Sequence, residues 1–255
     1  LRFDFTASTK NIVRNYYFED KSDIKKVNQE LDIWDGLWDV GEPNQFSQRL
    51  GLTYNLPFRL LPLVNFIDGT YSYSGDFNWQ RGSESLNEVE DEFGNVLGVV
   101  NTIQNANTHN LNTTLNFQKI YRALKLEKNI RSRDLKSMQT QFANSLIGFV
   151  TALKRLQVTY SENNGIVLPG YTQKVGFLGT SNPGLSFALG SQSDIRYEAA
   201  KRGWLTEFPN YNAQFTQVHN TDLTYSAEVS FPEGLQLDIS GNRSLSQNSG
   251  ENYIV

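Results

Sequence analysis

Acidic and hydroxyl side chains alternate with apolar ones along several short runs of this sequence, and they are the residues best placed to contact water or solutes. Asp68 and Asp76 bracket hydroxyl residues at every second position, and Asp222 and Glu228 do the same in a later run. Alternate residues of an extended strand share one face. These rows therefore predict polar strand faces that hydrate a wall, and they place no nucleophile beside a base.

The residue types that usually carry catalysis or bind metals give little support to an enzyme. His109 and His219 stand beside predicted strand starts among Asn and Thr, where a polar rim residue is favoured over a general base. The acidic cluster at 88–92 lacks the spacing of a calcium loop, and no nucleophile elbow, phosphate loop or HExxH pattern occurs. The absence of cysteine excludes disulfides and thiolate chemistry. We predict no enzymatic activity, catalytic residue, cofactor or metal.

Composition limits the class of protein. The 255 residues have a mean hydropathy of −0.47 and no long apolar run, which disfavours helical membrane spans but not a β-barrel, whose strands are apolar only at alternate positions. The net charge of −4 offers no basic footprint for nucleic acid. The chain opens in an alternating run without an initiator methionine or signal peptide, and we interpret it as part of a longer protein.

The hairpin predicted around Pro232 to Gly234 gives the clearest structural signal. Its two runs, 223–231 and 235–241, each carry an uncharged apolar row that faces the same side when the hairpin folds. A run of about ten residues at roughly 3.3 Å per residue and a 45° tilt crosses about 23 Å. That height is close to the apolar band of an outer-membrane barrel and predicts a transmembrane hairpin.

Seven strands and one helix are predicted in all. The long connections after the first, third and fifth strands fall on one side and the short turns on the other, as in outer-membrane barrels, although the helical link after the fourth strand breaks the rule. An odd strand number favours a sector of a larger barrel over a closed one. Strands are predicted near 1–9, 45–56, 66–80, 108–118, 153–161, 214–231 and 235–246, and an amphipathic helix over Ser132 to Leu153 that packs on the rim.

The barrel interpretation divides the strand residues into two sets. The set predicted to face the lumen is Asp68, Thr70, Ser72, Ser74, Asp76, Asp222, Thr224, Ser226, Glu228, Gln236, Asp238 and Ser240. The set predicted to face lipid is Leu50, Leu52, Tyr54, Tyr71, Tyr73, Phe77, Leu223, Tyr225, Val229, Leu235, Leu237 and Ile239. An aromatic end of the third strand, at Trp79, is predicted for the interfacial girdle.

Four longer runs of the sequence resemble a known family. They are LTYNLPFRLLPLVNFIDGTYSYSGDFNW (52–79), NTIQNANTHN (101–110), LQVTYSENNGIVLPGY (156–171) and GWLTEFPNYNAQFTQVHNTDLTYSAEVSFPEGLQLDISGNRSLSQN (203–248). These runs resemble the SprA/Sov family, the outer-membrane translocon of the bacterial type IX secretion system. The resemblance is strong over 156–248 and weaker before Asn44 and across 121–149.

The resemblance implies an all-β chain in which residues 1–255 form one sector of a very large antiparallel transmembrane β-barrel with long external loops. It implies a protein-conducting channel that exports folded proteins from the periplasm to the cell surface, including motility adhesins in gliding bacteria. The implied partners are a PorV-type shuttle barrel, a plug protein, secreted cargo with a C-terminal secretion domain and outer-membrane lipid. The family brings no catalytic residues.

Two alternatives remain open from the sequence. The first is a sector of a porin or TonB-dependent receptor. The second is a soluble antiparallel sheet with one wet face, such as an extracellular carbohydrate-binding β-domain that holds a glycan over Tyr71, Tyr73 and Trp79.

Overall fold

The computed structural model describes residues 1–12, 41–62, 64–83, 89–90, 92–94, 96–126, 145–176, 178, 180–208, 211–231 and 234–252. These residues form one antiparallel sheet in which the strands follow one another in chain order. The strands are β1 (Arg2–Ile12), β2 (Glu42–Leu56), β3 (Ile67–Gln80), β4 (Asn101–Asn116), β5 (Leu153–Tyr171), β6 (Gln214–Ser230) and β7 (Gln236–Asn252).

The sheet is open within the described part of the chain. Each strand pairs with its sequence neighbours, and the edge strands β1 and β7 are not paired with each other. The prediction of an all-β antiparallel fold is confirmed, and so is the number of strands. Alternating apolar rows explain the arrangement, because a strand with one apolar face gains most when its neighbours align their apolar rows beside it.

Three strands extend at least six residues beyond their predicted bounds, and β1 and β2 extend by three. β4 begins at Asn101 instead of 108, β5 continues to Tyr171 instead of ending at 161, and β7 reaches Asn252. The missed stretches are rich in asparagine and glycine, residues that are depleted in strands and favour turns. Pairing across the whole length of β4 and β5 overrides that local preference.

Short helical elements lie between the strands. A 3-10 turn at Phe58–Leu60 follows β2, α1 (Phe117–Ala123) follows β4, and residues 145–150 form α2 just before β5. α3 (Leu185–Ala188) and α4 (Ile195–Lys201) lie between β5 and β6. Of the helix predicted over Ser132 to Leu153, residues up to 144 lie outside the described residues, 145–150 are helical as predicted, and β5 begins at Leu153, where a strand was also predicted. In the described parts of the chain, no helix is long and apolar enough to cross a bilayer.

The connections alternate between the two ends of the sheet, and the long one after β4 breaks the separation by length, as the sequence indicated. Those after β1, β3 and β5 leave one end, here called the loop end, and those after β2, β4 and β6 leave the other, the turn end. α1 and α2 belong to the turn end. The connection between β5 and β6 folds back onto the sheet near the loop end, and its described residues within 172–208 are here called the covering segment.

Candidate functional site

One side of the sheet, here called the polar face, carries hydrophilic side chains on all seven strands. Directly opposite residues of paired strands, such as Ser72 with Asn110 and Ser226 with Ser240, lie on the same face of the sheet, so the polar row of one strand continues on the next. Every residue that the sequence predicted for the lumen lies on this face, and the strand residues predicted to face lipid lie on the opposite one. The division into two sets is therefore geometrically consistent across the sheet.

Hydroxyl-to-amide hydrogen bonds link neighbouring strands on the polar face. Thr108 Oγ1 donates to Asn163 Oδ1 at 2.8 Å, and Thr159 Oγ1 donates to Asn112 Oδ1 at 2.9 Å. Ser246 Oγ makes the same bond to Asn220 Oδ1 at 2.6 Å. In each case the partners are directly opposite residues of paired strands. Such pairs satisfy polar groups among themselves and leave a neutral, hydrated surface.

The acidic residues of the polar face are partly neutralised. Arg49 Nε lies 3.2 Å from Asp76 Oδ1, and Arg59 Nε lies 2.5 Å from Asp68 Oδ1. The pairing raises the pKa of the Arg59 guanidinium above its usual value, chiefly through its hydrogen bond to Asp68. The sequence pattern predicted these acids for the wall but not their arginine partners, because Arg49 and Asp76 meet only through the strand register. The wall is thus less acidic than the sequence suggests.

The polar face is concave. A hollow of about 450 Å³ is lined by residues from β1 to β6, most of them on the polar face, including Thr6, Asn78 and Val218. A second hollow of about 330 Å³ lies beside it and is lined by residues that include Asp4, Ser74 and Asn110. Hollows that reach across this many neighbouring strands indicate that the sheet curls around its hydrophilic side. The apolar side is therefore the convex one.

Toward the turn end the convex side is apolar, and none of the residues that the structure describes covers it; this part is here called the open band. Tyr225 and Ile239 are 44% and 51% exposed although each lies in the middle of a row of apolar residues. Large apolar side chains at this exposure mark a surface that another apolar phase or partner normally covers. The band comprises Leu52, Tyr54, Leu56, Tyr71, Leu111, Leu115, Leu156, Val158, Leu223, Tyr225, Ala227, Val229, Leu237 and Ile239.

A hydrogen-bonded belt crosses the same side above the open band. His219 Nδ1 lies 2.5 Å from Asn164 Oδ1, and the Asn164 amide donates to Asn107 Oδ1 at 2.9 Å and to Glu162 Oε1 at 3.1 Å. His109 Nδ1 shares a 2.7 Å hydrogen bond with the Tyr71 hydroxyl. Both histidines therefore lie inside strands, and the prediction that they stand beside strand starts is wrong. Among the residues described, no group of three or more His, Cys, Asp or Glu side chains is arranged to hold a metal.

Nearer the loop end, the covering segment lies directly on the apolar face. Phe77 is 1% exposed and its ring meets Phe187 edge-on at 6.1 Å. Trp79 is 2% exposed and donates Nε1–H to the Gln173 carbonyl at 3.1 Å. The predictions of a lipid-facing Phe77 and of an interfacial Trp79 are wrong, because protein covers both side chains. Leu50, 9% exposed, is likewise not available to lipid.

Amide and hydroxyl side chains of the sheet hold the covering segment by its backbone carbonyls. Gln48 donates to the Ala188 carbonyl at 2.7 Å, Asn107 to Gly190 at 2.8 Å, and the Tyr73 hydroxyl to Leu189 at 2.6 Å. These carbonyls follow the single turn of α3, where a helix end leaves acceptors without backbone partners. The Asn105 amide adds bonds to the carbonyls of Phe187 and Ser191. The sequence analysis did not identify these hydrogen-bond donors. The asparagines that recur in an apolar row of β4 could have indicated them.

An arginine ties the far end of the covering segment to the last two strands. Arg196 donates to Asp194 at 2.8 Å and to Glu251 at 2.5 Å, and its guanidinium lies 4.1 Å from the centre of the Phe215 ring. Asp194 also caps α4 by accepting from the Arg196 amide at 3.0 Å. The hydrogen bond from the Arg196 side chain lowers the pKa of the Asp194 carboxyl. These contacts of Arg196 with Asp194 and Glu251, here called the ionic clamp, depend on the charges of all three side chains.

No known family model matches the chain, and no curated protein matches it.

Proposed function

We propose that this chain is a sector of the wall of a protein-conducting outer-membrane channel, the translocon of a type IX secretion system, which exports folded proteins from the periplasm to the cell surface. The observation that carries the proposal is the division of a single curved sheet into a concave polar face and a convex face with an open apolar band. A channel wall needs this arrangement, since its inner side meets water and its outer side meets lipid. The resemblance of four long runs to the SprA/Sov family supports the specific assignment.

The chemistry of the polar face suits a conduit for folded cargo. Serine, threonine and asparagine bond across the strands, and two of the acids are paired with arginine. Such a wall stays hydrated and presents little apolar surface to a passing protein. It also lacks a strong field of one sign that would retain cargo of the opposite charge. The lumen would be a passage, with no chemical step at the wall.

The height of the open band is compatible with a bilayer. On β6 the apolar row runs from Leu223 to Phe231, which at about 3.3 Å per residue and a 45° tilt gives roughly 20 Å of height. Outer-membrane barrels carry an apolar band of about 25 Å. β6 itself extends from Gln214, well beyond the band. In the proposed arrangement the loop end and its covering segment project outside the bilayer.

Isolation of the full-length protein from outer membranes in mild detergent, through an affinity tag, tests the proposal. We expect a large complex that contains a second barrel of the PorV type, a plug protein and secreted cargo with a C-terminal secretion domain. Recovery as a monomer that needs no detergent would contradict the proposal and favour the carbohydrate-binding domain. Recovery of a lone barrel that conducts small solutes would favour a porin or TonB-dependent receptor.

A further inference from the structure

The turn end of the sheet differs in charge from the loop end. In the described residues of its connections, 57–62, 64–66, 117–126, 145–152, 231 and 234–235, there is no Asp or Glu. Four basic residues lie there: Arg59, Lys119, Arg122 and Lys125. The described connections of the loop end balance five acids, Glu90, Glu92, Asp194, Glu198 and Glu207, against five bases, Arg81, Lys174, Arg196, Lys201 and Arg202.

Large apolar side chains are exposed beside these basic groups. Leu60 is 82% exposed, Leu124 is 63% exposed and Phe149 is 68% exposed. Leu61, Leu146 and Val150 add to the same surface with more than half of their area exposed. Exposed leucine and phenylalanine next to lysine and arginine is the composition of a surface that enters the interfacial layer of a membrane. The name basic collar is used below for residues 58–61, 117–125 and 145–150, which contain the 3-10 turn, α1 and α2.

α1 shows the same division within one short helix. Phe117, Ile120 and Tyr121 are half-buried, and the Phe117 and Tyr121 rings stack at 6.3 Å. Arg122 is exposed on its other side, and Lys125 is exposed just beyond the end of the helix. Burial raises the pKa of the Tyr121 hydroxyl, consistent with a side chain held against the protein. The ring face of α1 therefore packs on the protein, and Lys119 donates to the Asn65 carbonyl at 3.1 Å, whereas the Arg122 and Lys125 side chains point outward.

The basic collar is continuous with the open band. Phe58 packs over Gly69 on the apolar face, so closely that an added Cβ at Gly69 would lie 2.9 Å from the Phe58 ring. Phe149 of α2 contacts Phe231, the last apolar residue of the β6 row, with ring centres 5.7 Å apart. A bilayer that covers the band therefore meets the basic collar at its edge.

We propose that the basic collar is a binding surface for anionic phospholipid headgroups, which fixes the turn end in the phospholipid interface. This inference rests on the proposed membrane position of the open band. The apolar side chains enter the boundary between headgroups and acyl chains, and Arg122 and Lys125 meet the lipid phosphates. Each basic residue close to an anionic surface is expected to strengthen the association about fivefold.

Site-specific fluorescence in bilayers tests the proposal with the full-length protein. The 255 residues contain no cysteine, so single cysteines at Leu124, Tyr225 and Leu185 can carry an environment-sensitive dye at the basic collar, the open band and the covering segment. Any cysteine elsewhere in the full-length protein is replaced first. The protein is reconstituted into phosphatidylcholine vesicles that carry either nitroxide-labelled phosphatidylcholine or nitroxide-labelled phosphatidylglycerol.

We expect stronger quenching of the dye at position 124 by the phosphatidylglycerol quencher than by the phosphatidylcholine quencher. In the Arg122→Gln and Lys125→Gln double variant this preference should fall by about fivefold for each residue removed. The matched control, Lys174→Gln with Lys201→Gln at the loop end, should leave the preference unchanged. The dye at position 225 should be quenched by both lipids alike, and the dye at position 185 by neither.

Three results would overturn the inference. Equal quenching of position 124 by both lipids, or none, while position 225 is quenched, would refute the basic collar but leave the channel proposal standing. A preference that survives the double variant would refute the role of the two cations. Absence of quenching at position 225 as well would refute the membrane position of the open band and the basic collar with it.

Discussion

The convex side of the sheet contains two regions that look alike in sequence and differ in their covering. In the open band, aliphatic and tyrosine side chains such as Ile239 and Tyr225 remain exposed. In the part of this side that lies under the covering segment, here called the covered zone, Phe77 and Trp79 are buried, and Gln48, Asn105 and Asn107 lie beside them. A row covered by protein can include amides because backbone carbonyls accept from them. A row covered by lipid cannot, since hydrocarbon offers no acceptor.

The largest effect is expected where the covered zone is anchored. Phe187→Ala removes the ring that packs on Phe77, and the loss of a buried phenylalanine should cost about 3–5 kcal/mol of the free energy that holds the covering segment down. Trypsin should then cleave at Lys174, Arg196, Lys201 or Arg202. Tyr197→Ala, at a position 77% exposed on the same segment, is the control and should leave cleavage slow. Equal cleavage of both variants would contradict the packing described.

A charge in the open band tests the other side of the comparison. Ile239→Lys should destabilise the protein in bilayers by about 2–4 kcal/mol, because the ammonium would be placed near the middle of the apolar band. The neighbouring Ser240→Lys points to the polar face and should be nearly neutral. Denaturant titration of both variants in lipid vesicles measures the difference. A loss of stability that is equal and small in both would mean that water reaches both faces.

Where the covering segment lies on the sheet, its backbone at Leu189 comes very close to Gly75 of β3. A Cβ built at Gly75 would lie 2.2 Å from the Leu189 carbonyl oxygen, whereas a Cβ at Gly165 would lie 3.6 Å from the Asn105 oxygen. Gly75→Ala should therefore cost about 1–3 kcal/mol through overpacking. Gly165→Ala should be close to neutral. Thermal unfolding of the two variants, followed by the onset of tryptic cleavage within 172–208, checks the contrast.

The smallest effect is expected at the exposed ionic clamp. Asp194→Asn keeps a side-chain oxygen to cap α4 but removes the charge that pairs with Arg196, which for a surface pair is worth about 0.2–1 kcal/mol. Since the pKa of Asp194 is lowered in the folded protein, the pair stabilises it above the usual carboxyl pKa of 3.8 and is lost as the pH falls below that value. Hydrogen exchange over 195–201, corrected for intrinsic rates, should differ between variant and wild type at neutral pH, and the difference should shrink below pH 3.8. A constant difference would contradict the charge pairing.

The two faces of the sheet could be predicted from the sequence because alternation is a local signal. Rows such as Asp68 to Asp76 and Leu223 to Phe231 fix which side chains share a face before any partner strand is known. The upper halves of β4 and β5 could not be predicted in the same way. Their asparagines and glycines favour loops locally, and only pairing along the full length of both strands keeps them extended.

The covering segment was beyond prediction for a different reason. Gln48, Asn105 and Asn107 find their partners in the carbonyls of residues 187–191, more than eighty positions along the chain. Nothing in the local pattern at Phe77 or Trp79 distinguishes an aromatic that faces lipid from one that packs under protein. The buried amides are the only local indication, since an asparagine in an apolar row requires an acceptor nearby.

Accessibility along β6 in the full-length protein, reconstituted in lipid vesicles, tests the central claim most directly. Single spin labels from Leu223 to Val229 are compared for collisions with oxygen, which concentrates in lipid, and with a water-soluble nickel complex. Two opposite patterns with a period of two are predicted: oxygen contact at Leu223, Tyr225, Ala227 and Val229, and nickel contact at Thr224, Ser226 and Glu228. Equal access of the nickel complex to both sets would contradict a wall between lipid and an aqueous lumen.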